Sequence, residues 1–178
     1  RPHDGEEATR RDFIHIAAAG SAAVGAAVAV WPFVDQMNPA ADTLALASVE
    51  IDLSQIAEGE AIIVKWRGKP IFIRHRTAAE VEEASAVPLG DLIDKQADAD
   101  RVQAGHEKWL VVIGTCTHLG CVPLGTKSGD DKGEYGGWFC PCHGSHYDTS
   151  GRIRKGPAPR NLDVPEYAFV SDTLLKIG

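Results

Sequence analysis

Two periodicities divide the chain. From Phe13 to Val34, 22 residues pass without Asp, Glu, Lys or Arg. A helix of that length rises about 33 Å, close to the thickness of a bilayer core. No convincing small-x-small cleavage site follows Val34, so the segment reads as a retained membrane anchor over 13–34. Trp31 and Phe33 suit its far interface. Ala17, Ser21, Gly25 and Ala29 recur every four residues, a small-residue stripe along which another helix could approach. Asn38-Pro39 then interrupts any helix, and residues 35–47 read as a linker.

Beyond Ser48 the period changes to two. Val49, Ile51 and Leu53 alternate with polar residues, as in a half-buried strand. Ala61–Trp66 and Pro70–Arg74 flank Arg67-Gly68-Lys69, which predicts a hairpin. Thr77-Ala-Ala-Glu80 has capping-box form and opens a short helix to about Ala86, with Pro88 beyond it. Residues 91–108 read as a charged surface loop with some helix, and Trp109–Gly114 as a buried strand. Residues 126–137 are rich in Gly, Asp and Lys, a surface connection. Short strands follow at 137–140, 146–147, 152–154, 162–164, 167–171 and 173–177. The fold class is mainly β: an antiparallel head over 48–178 behind one N-terminal transmembrane helix.

The net charge of −7 makes nucleic acid an improbable partner. Residues 1–12 form a polar tail ending in Arg10-Arg11 before the apolar run, which looks like a twin-arginine export signal. No Lys or Arg recurs until Lys65, so the positive-inside rule puts the tail in the cytoplasm and the head in the periplasm.

All four cysteines lie in two loops, Cys116-Thr-His118-Leu-Gly-Cys121 and Cys140-Pro-Cys142-His143-Gly-Ser145. Structural zinc sites usually keep Cys with Cys and His with His, whereas here each loop mixes them. Two disulfides would leave both histidines without a role. A two-iron cluster with two thiolates on one iron and two imidazoles on the other uses Cys116, His118, Cys140 and His143 once each. Cys121 and Cys142 then remain to pair as a disulfide, which requires an oxidising compartment.

Both loops resemble those of the Rieske iron–sulfur proteins of respiratory and photosynthetic cytochrome bc complexes. The likeness covers nearly the whole chain and is tightest from about Trp109 to Pro159. It implies one [2Fe–2S] cluster in a rubredoxin-like subdomain, about residues 109–160, inserted in a base of stacked sheets. It also implies that Ser145 and Tyr147 donate hydrogen bonds to cluster and cysteine sulfurs, raising the potential. Leu119, Gly156, Pro157 and Pro159 would shield the cluster, and 35–47 would be a hinge. His146 is expected to be a non-ligand.

The implied activity is one-electron oxidation of ubiquinol and reduction of a c-type haem, within a complex containing cytochrome b and a c-type cytochrome. Membrane lipid surrounds the anchor, and the complex is expected to be dimeric. One ring nitrogen of His118 or His143 would accept the quinol proton; the residues do not choose between them. Two other readings are a subunit of another exported oxidoreductase, arsenite-oxidase-like, and a zinc-stabilised binding module.

Overall fold

A computed structural model describes residues 9–38 and 47–178. The chain divides into two units, Arg1–Leu44 and Ala45–Gly178. The expected tail lies largely outside the described residues, as do positions 39–46 of the expected linker.

The first unit contains helix α1, Arg10–Asp35. It starts three residues before the apolar run, so Arg10 and Arg11 are helical. The reason is local. Thr9 caps the helix by accepting from Asp12 N–H, and the Asp12 carboxylate accepts from Thr9 N–H at 2.9 Å. The helix is long and apolar enough to cross a membrane. Pro32 falls in its last turn, and Asn38 N–H closes a turn onto the Asp35 carbonyl at 3.0 Å.

The second unit holds nine strands: β1 Val49–Asp52, β2 Ala61–Trp66, β3 Lys69–His75, β4 Trp109–Ile113, β5 Gly136–Cys140, β6 Ser145–Asp148, β7 Ile153–Lys155, β8 Tyr167–Ser171 and β9 Leu174–Ile177. They form three antiparallel sheets, ordered β1-β9-β8, β2-β3-β4 and β5-β6-β7. The β2–β3 hairpin turns through Arg67 and Gly68, with φ of 48° and 77°, as a two-residue turn between twisted strands requires.

The second sheet is the middle layer. Ile71, Ile73 and Val111 pack with Ile51, Leu53, Leu175 and Ile177 against the first sheet. The alternate positions Phe72, Leu110 and Val112 pack with Trp138, Tyr147, Ile153 and Leu162 on the other side. A strand buried on both faces needs a continuous apolar run, as β3 and β4 show. Phe72 stacks on Trp138 at 5.6 Å between ring centroids, joining the middle sheet to the third. The two Cys/His loops grow out of this second core, which includes Cys116 and Cys140.

Helix α2, Ala78–Ala86, has the expected capping box: Glu80 N–H donates to Thr77 Oγ1 and Thr77 N–H to Glu80 Oε2. Two expectations need correction, and a third needs refinement. Leu53 leaves the first strand, because the Asp52 side chain accepts from Ser54 N–H and bends the chain into a 3-10 turn. Residues 162–164 form no strand; Leu162 and Asp163 each make a single backbone bond, to Gly151 and Ile113, and Pro165 follows. The 91–108 segment is not simply a surface loop. Leu92, Asp98 and Arg101 are buried. Arg76 pairs with Asp98 at 2.6 Å, and Arg101 donates to the Ser150 and Leu162 carbonyls at 2.7 and 2.6 Å. At Asp98 and Arg101 the charge is held internally, while most other charged residues of the segment face solvent.

Candidate metal centre

The two loops are built alike. Each begins on a buried cysteine and closes four residues later on a glycine. Gly120 N–H donates to the Cys116 carbonyl at 2.9 Å, and Gly144 N–H to the Cys140 carbonyl at 3.0 Å. Both glycines have φ near +80°, at 87° and 76° respectively, a region that disfavours any side chain. These glycines were passed over in reading the sequence, although the shared Cys-x-x-x-Gly spacing was there to find.

The turns bring four side chains together. Cys116 and Cys140 are free and buried. The rings of His118 and His143 meet edge-on with centroids 4.6 Å apart. His118 is half-buried and His143 exposed. His118 Nδ1 is buried with no hydrogen-bond partner among the described residues. A buried imidazole nitrogen left without a partner is costly, and coordinating a metal satisfies it. Two thiols and two imidazoles are the donor set of a two-iron centre with mixed ligation, so the residues fit that group.

Cys121 and Cys142 form a disulfide across the loops. The sulfurs of Cys121, Cys140 and Cys142 all lie within 4.8 Å of one another. Two of them are bonded to each other, so only Cys140 of that trio offers a free thiol. Cys116 N–H donates to the Cys121 carbonyl at 2.7 Å, and Leu124 pairs with Phe139 as a further bridge between the loops.

Polar groups converge on the Cys116 sulfur. Tyr147 Oη donates to it at 3.3 Å and accepts from Thr117 N–H at 3.4 Å. Burial pushes the Cys116 thiol up, but hydrogen bonds from Tyr147, the His118 backbone and Ser145 outweigh it and leave the group below its ordinary value. Cys140 is raised, mainly by burial and also by its neighbour Cys116, against a backbone hydrogen bond from Cys142. Burial, with its bond to Cys116, also raises the Tyr147 phenol, which stays a donor. Ser145 Oγ accepts from Ala158 N–H at 3.2 Å, which leaves its own hydrogen free to donate toward the sulfurs.

Gly156 backs onto the second loop so closely that a Cβ there would meet Ser145 Cα at 2.6 Å. Pro157 and Pro159 are exposed and flank buried Ala158. Leu119 is 71% exposed at the tip of the first loop, so it lies over the outer side of the site and not in the core. Thr117, not singled out beforehand, ties the first loop to the Arg160 carbonyl at 2.6 Å. His146 accepts from Glu134 N–H and packs on Phe139, as a non-ligand would.

Fold and site together define a Rieske-type iron–sulfur protein. Residues 51–168 match the Rieske [2Fe-2S] domain, and residues 1–40 match a segment described as "Ubiquitinol-cytochrome C reductase Fe-S subunit TAT signal". The ubiquinol–cytochrome c reductase iron–sulfur subunit of Rhodospirillum rubrum is 63% identical, covering 98% of this chain and 94% of its own. That of Rickettsia prowazekii (strain Madrid E) is 60% identical, covering 97% and 95%. A chain of a hyperthermophilic respiratory Complex III superposes with a TM-score of 0.56 at 26% identity, covering 91% of this chain and 99% of its own. This chain belongs to the family of Rieske iron–sulfur subunits of ubiquinol–cytochrome c reductase. Its cofactor is the [2Fe–2S] cluster, and its twin-arginine segment and apolar helix make it an exported, membrane-anchored subunit.

Proposed function

We propose that this chain is the electron-transfer subunit of a bacterial cytochrome bc complex, oxidising ubiquinol and reducing a c-type haem. The observation that carries the reading is the His118–His143 pair beside two buried thiols, with His118 Nδ1 unpartnered. Cys116 and Cys140 would hold one iron, and His118 and His143 the other. When bound, the cluster supplies a one-electron acceptor of high potential, because neutral imidazoles replace two thiolates.

The protein's own residues do the rest. Tyr147 and Ser145 direct hydroxyls at the sulfurs, which favours the reduced form. The disulfide and the paired glycine turns hold the loops closed. With one ring nitrogen of His118 or His143 on iron, the other would be available to take a proton from a hydroquinone. His143 is exposed and His118 only half so, which favours His143 as the group that meets quinol. Leu119, Gly156, Pro157 and Pro159 form the rim that limits water. Cytochrome b and a c-type cytochrome are the partners, in a dimeric complex. Arg10 and Arg11 mark the export motif and the cytoplasmic end of a single pass through the inner membrane, with the head in the periplasm. Residues 35–47 serve as the hinge.

The test is low-temperature electron paramagnetic resonance of ascorbate-reduced membranes, with redox titration across pH. A rhombic two-iron signal with a high midpoint that falls above neutral pH is expected. A low, pH-independent midpoint would remove quinol oxidation, and zinc in place of iron would remove electron transfer.

A further inference from the structure

The segment 156–160 borders the Cys/His site and is held mainly from its ends. Pro157 and Pro159 have no N–H, so no continuous ladder of backbone bonds can fix it. Its middle residue, Ala158, is buried and donates its N–H to Ser145 Oγ at 3.2 Å. At one end Gly156 backs onto Ser145 too closely for a Cβ. Near the other end Thr117 Oγ1 donates to the Arg160 carbonyl, and Asn161 follows, 3% exposed. Asn161 Oδ1 accepts from Ile153 N–H at 2.9 Å, and its Nδ2 donates to the Asp94 carbonyl at 3.2 Å. Its backbone N–H donates to the Asp94 carboxylate at 2.9 Å. A backbone N–H can only donate and a carbonyl can only accept, so the amide has one orientation. No apolar or charged side chain of its size makes both bonds. Asn161 therefore ties the proline segment to the start of β7 and to the loop at Asp94.

We propose, resting on the cluster reading above, that Asn161 is a positioning residue for the cluster. Latched to Ile153 and Asp94, it holds the proline segment so that Ala158 N–H fixes the Ser145 hydroxyl. A serine hydroxyl rotates freely until its oxygen accepts a hydrogen bond; the Ala158 N–H occupies one lone pair and leaves the hydrogen for the sulfurs. Without the latch the segment shifts, the hydroxyl loses its restraint, and the reduced cluster loses part of a hydrogen bond.

The test is redox titration of the reduced-cluster resonance signal in membranes carrying the full chain. The variants are Ser145→Ala, Asn161→Leu, the two combined, and Asn161→Leu combined with Tyr147→Phe. Leucine matches asparagine in size and adds no charge. Asn161→Leu should lower the midpoint, and should lower it no further once Ser145 is alanine. Because Ile153 pairs with Tyr147, the Tyr147→Phe background separates the two routes, and there the full shift should persist. Asn161→Ala repeats the comparison if leucine does not fit. An unchanged midpoint, equal shifts with and without Ser145, or a shift that disappears only in Tyr147→Phe overturns the proposal. Loss of the cluster from both Asn161 variants would make the residue a folding requirement and overturn it too. A parent chain without a two-iron signal removes the cluster reading itself, and this proposal with it.

Discussion

Tyr147 shows how one atom acts at this site. Its hydroxyl donates to the Cys116 sulfur at 3.3 Å while Thr117 N–H fixes it from behind. With Cys116 as an iron ligand, as proposed, the bond would strengthen as the sulfur gains charge and would favour the reduced cluster. Replacing Tyr147 with Phe should lower the midpoint by ~40–60 mV, the one-electron equivalent of ~1–1.5 kcal/mol. Redox titration of the resonance signal checks this, and an unchanged midpoint would mean that the hydroxyl does not tune the cluster. Cys121 acts differently: its sulfur closes the cap by bonding Cys142. In Cys121→Ser the loops should loosen, with lower cluster occupancy and a lower midpoint. Full iron content together with an unaltered midpoint would contradict that role. Cys116, His118, Cys140 and His143 could be proposed as ligands from the matched loops, and Ser145 and Tyr147 as tuning residues from the family resemblance. Gly120 and Gly144 were overlooked because the sequence shows their spacing but not their positive φ.

Helix α2 is short, yet it connects two layers. Glu80 closes the capping box with Thr77 and also receives Arg74 from the middle sheet. At the other end, Arg152 from the third sheet's turn donates to the Ala84 carbonyl at 2.7 Å. Thr77→Ala removes one half of the box and should cost about 1 kcal/mol of stability. Denaturant titration of the intact chain measures it; a loss within error would show that tertiary contacts alone hold the helix. The cap was readable because its signal spans only four residues. The 91–108 loop with some helix was readable, but the burial of Asp98 and Arg101 was not, because their partners are distant in sequence, at Arg76, Ser150 and Leu162. Burial lowers the Arg101 guanidinium to about 10, against the pull of Asp148, Asp94 and Asp98, so it is charged at neutral pH and remains a donor to those carbonyls.

Across the head, two cores share the middle sheet, and Cys116 and Cys140, the proposed cluster ligands, lie in one of them. The core of Ile51, Ile71, Ile73, Val111, Leu175 and Ile177 includes no ligand. Removing iron should therefore leave this half folded. The other core would lose order around Cys116 and Cys140, where the thiols and His118 Nδ1, as the proposed ligands, would be left without metal. Hydrogen exchange of the iron-free protein should show protection retained in β3, β4 and β9 and lost in residues 116–125 and 140–146. Uniform loss would show the cluster to be part of a single cooperative fold.

The sequence by itself determined the anchor, the alternating strands, the α2 cap and the division of four cysteines and two histidines between two loops. Each of these is a local pattern, carried by neighbours within a few residues or by composition over one helix. Only the tertiary structure decided that β3 lies beside β4 in a layer between two cores and that Leu162 packs without joining a strand. It likewise decided that Arg74 lies buried between Glu80, Trp138 and an open cavity. These depend on which distant segments meet, and burial and partner choice are properties of that meeting.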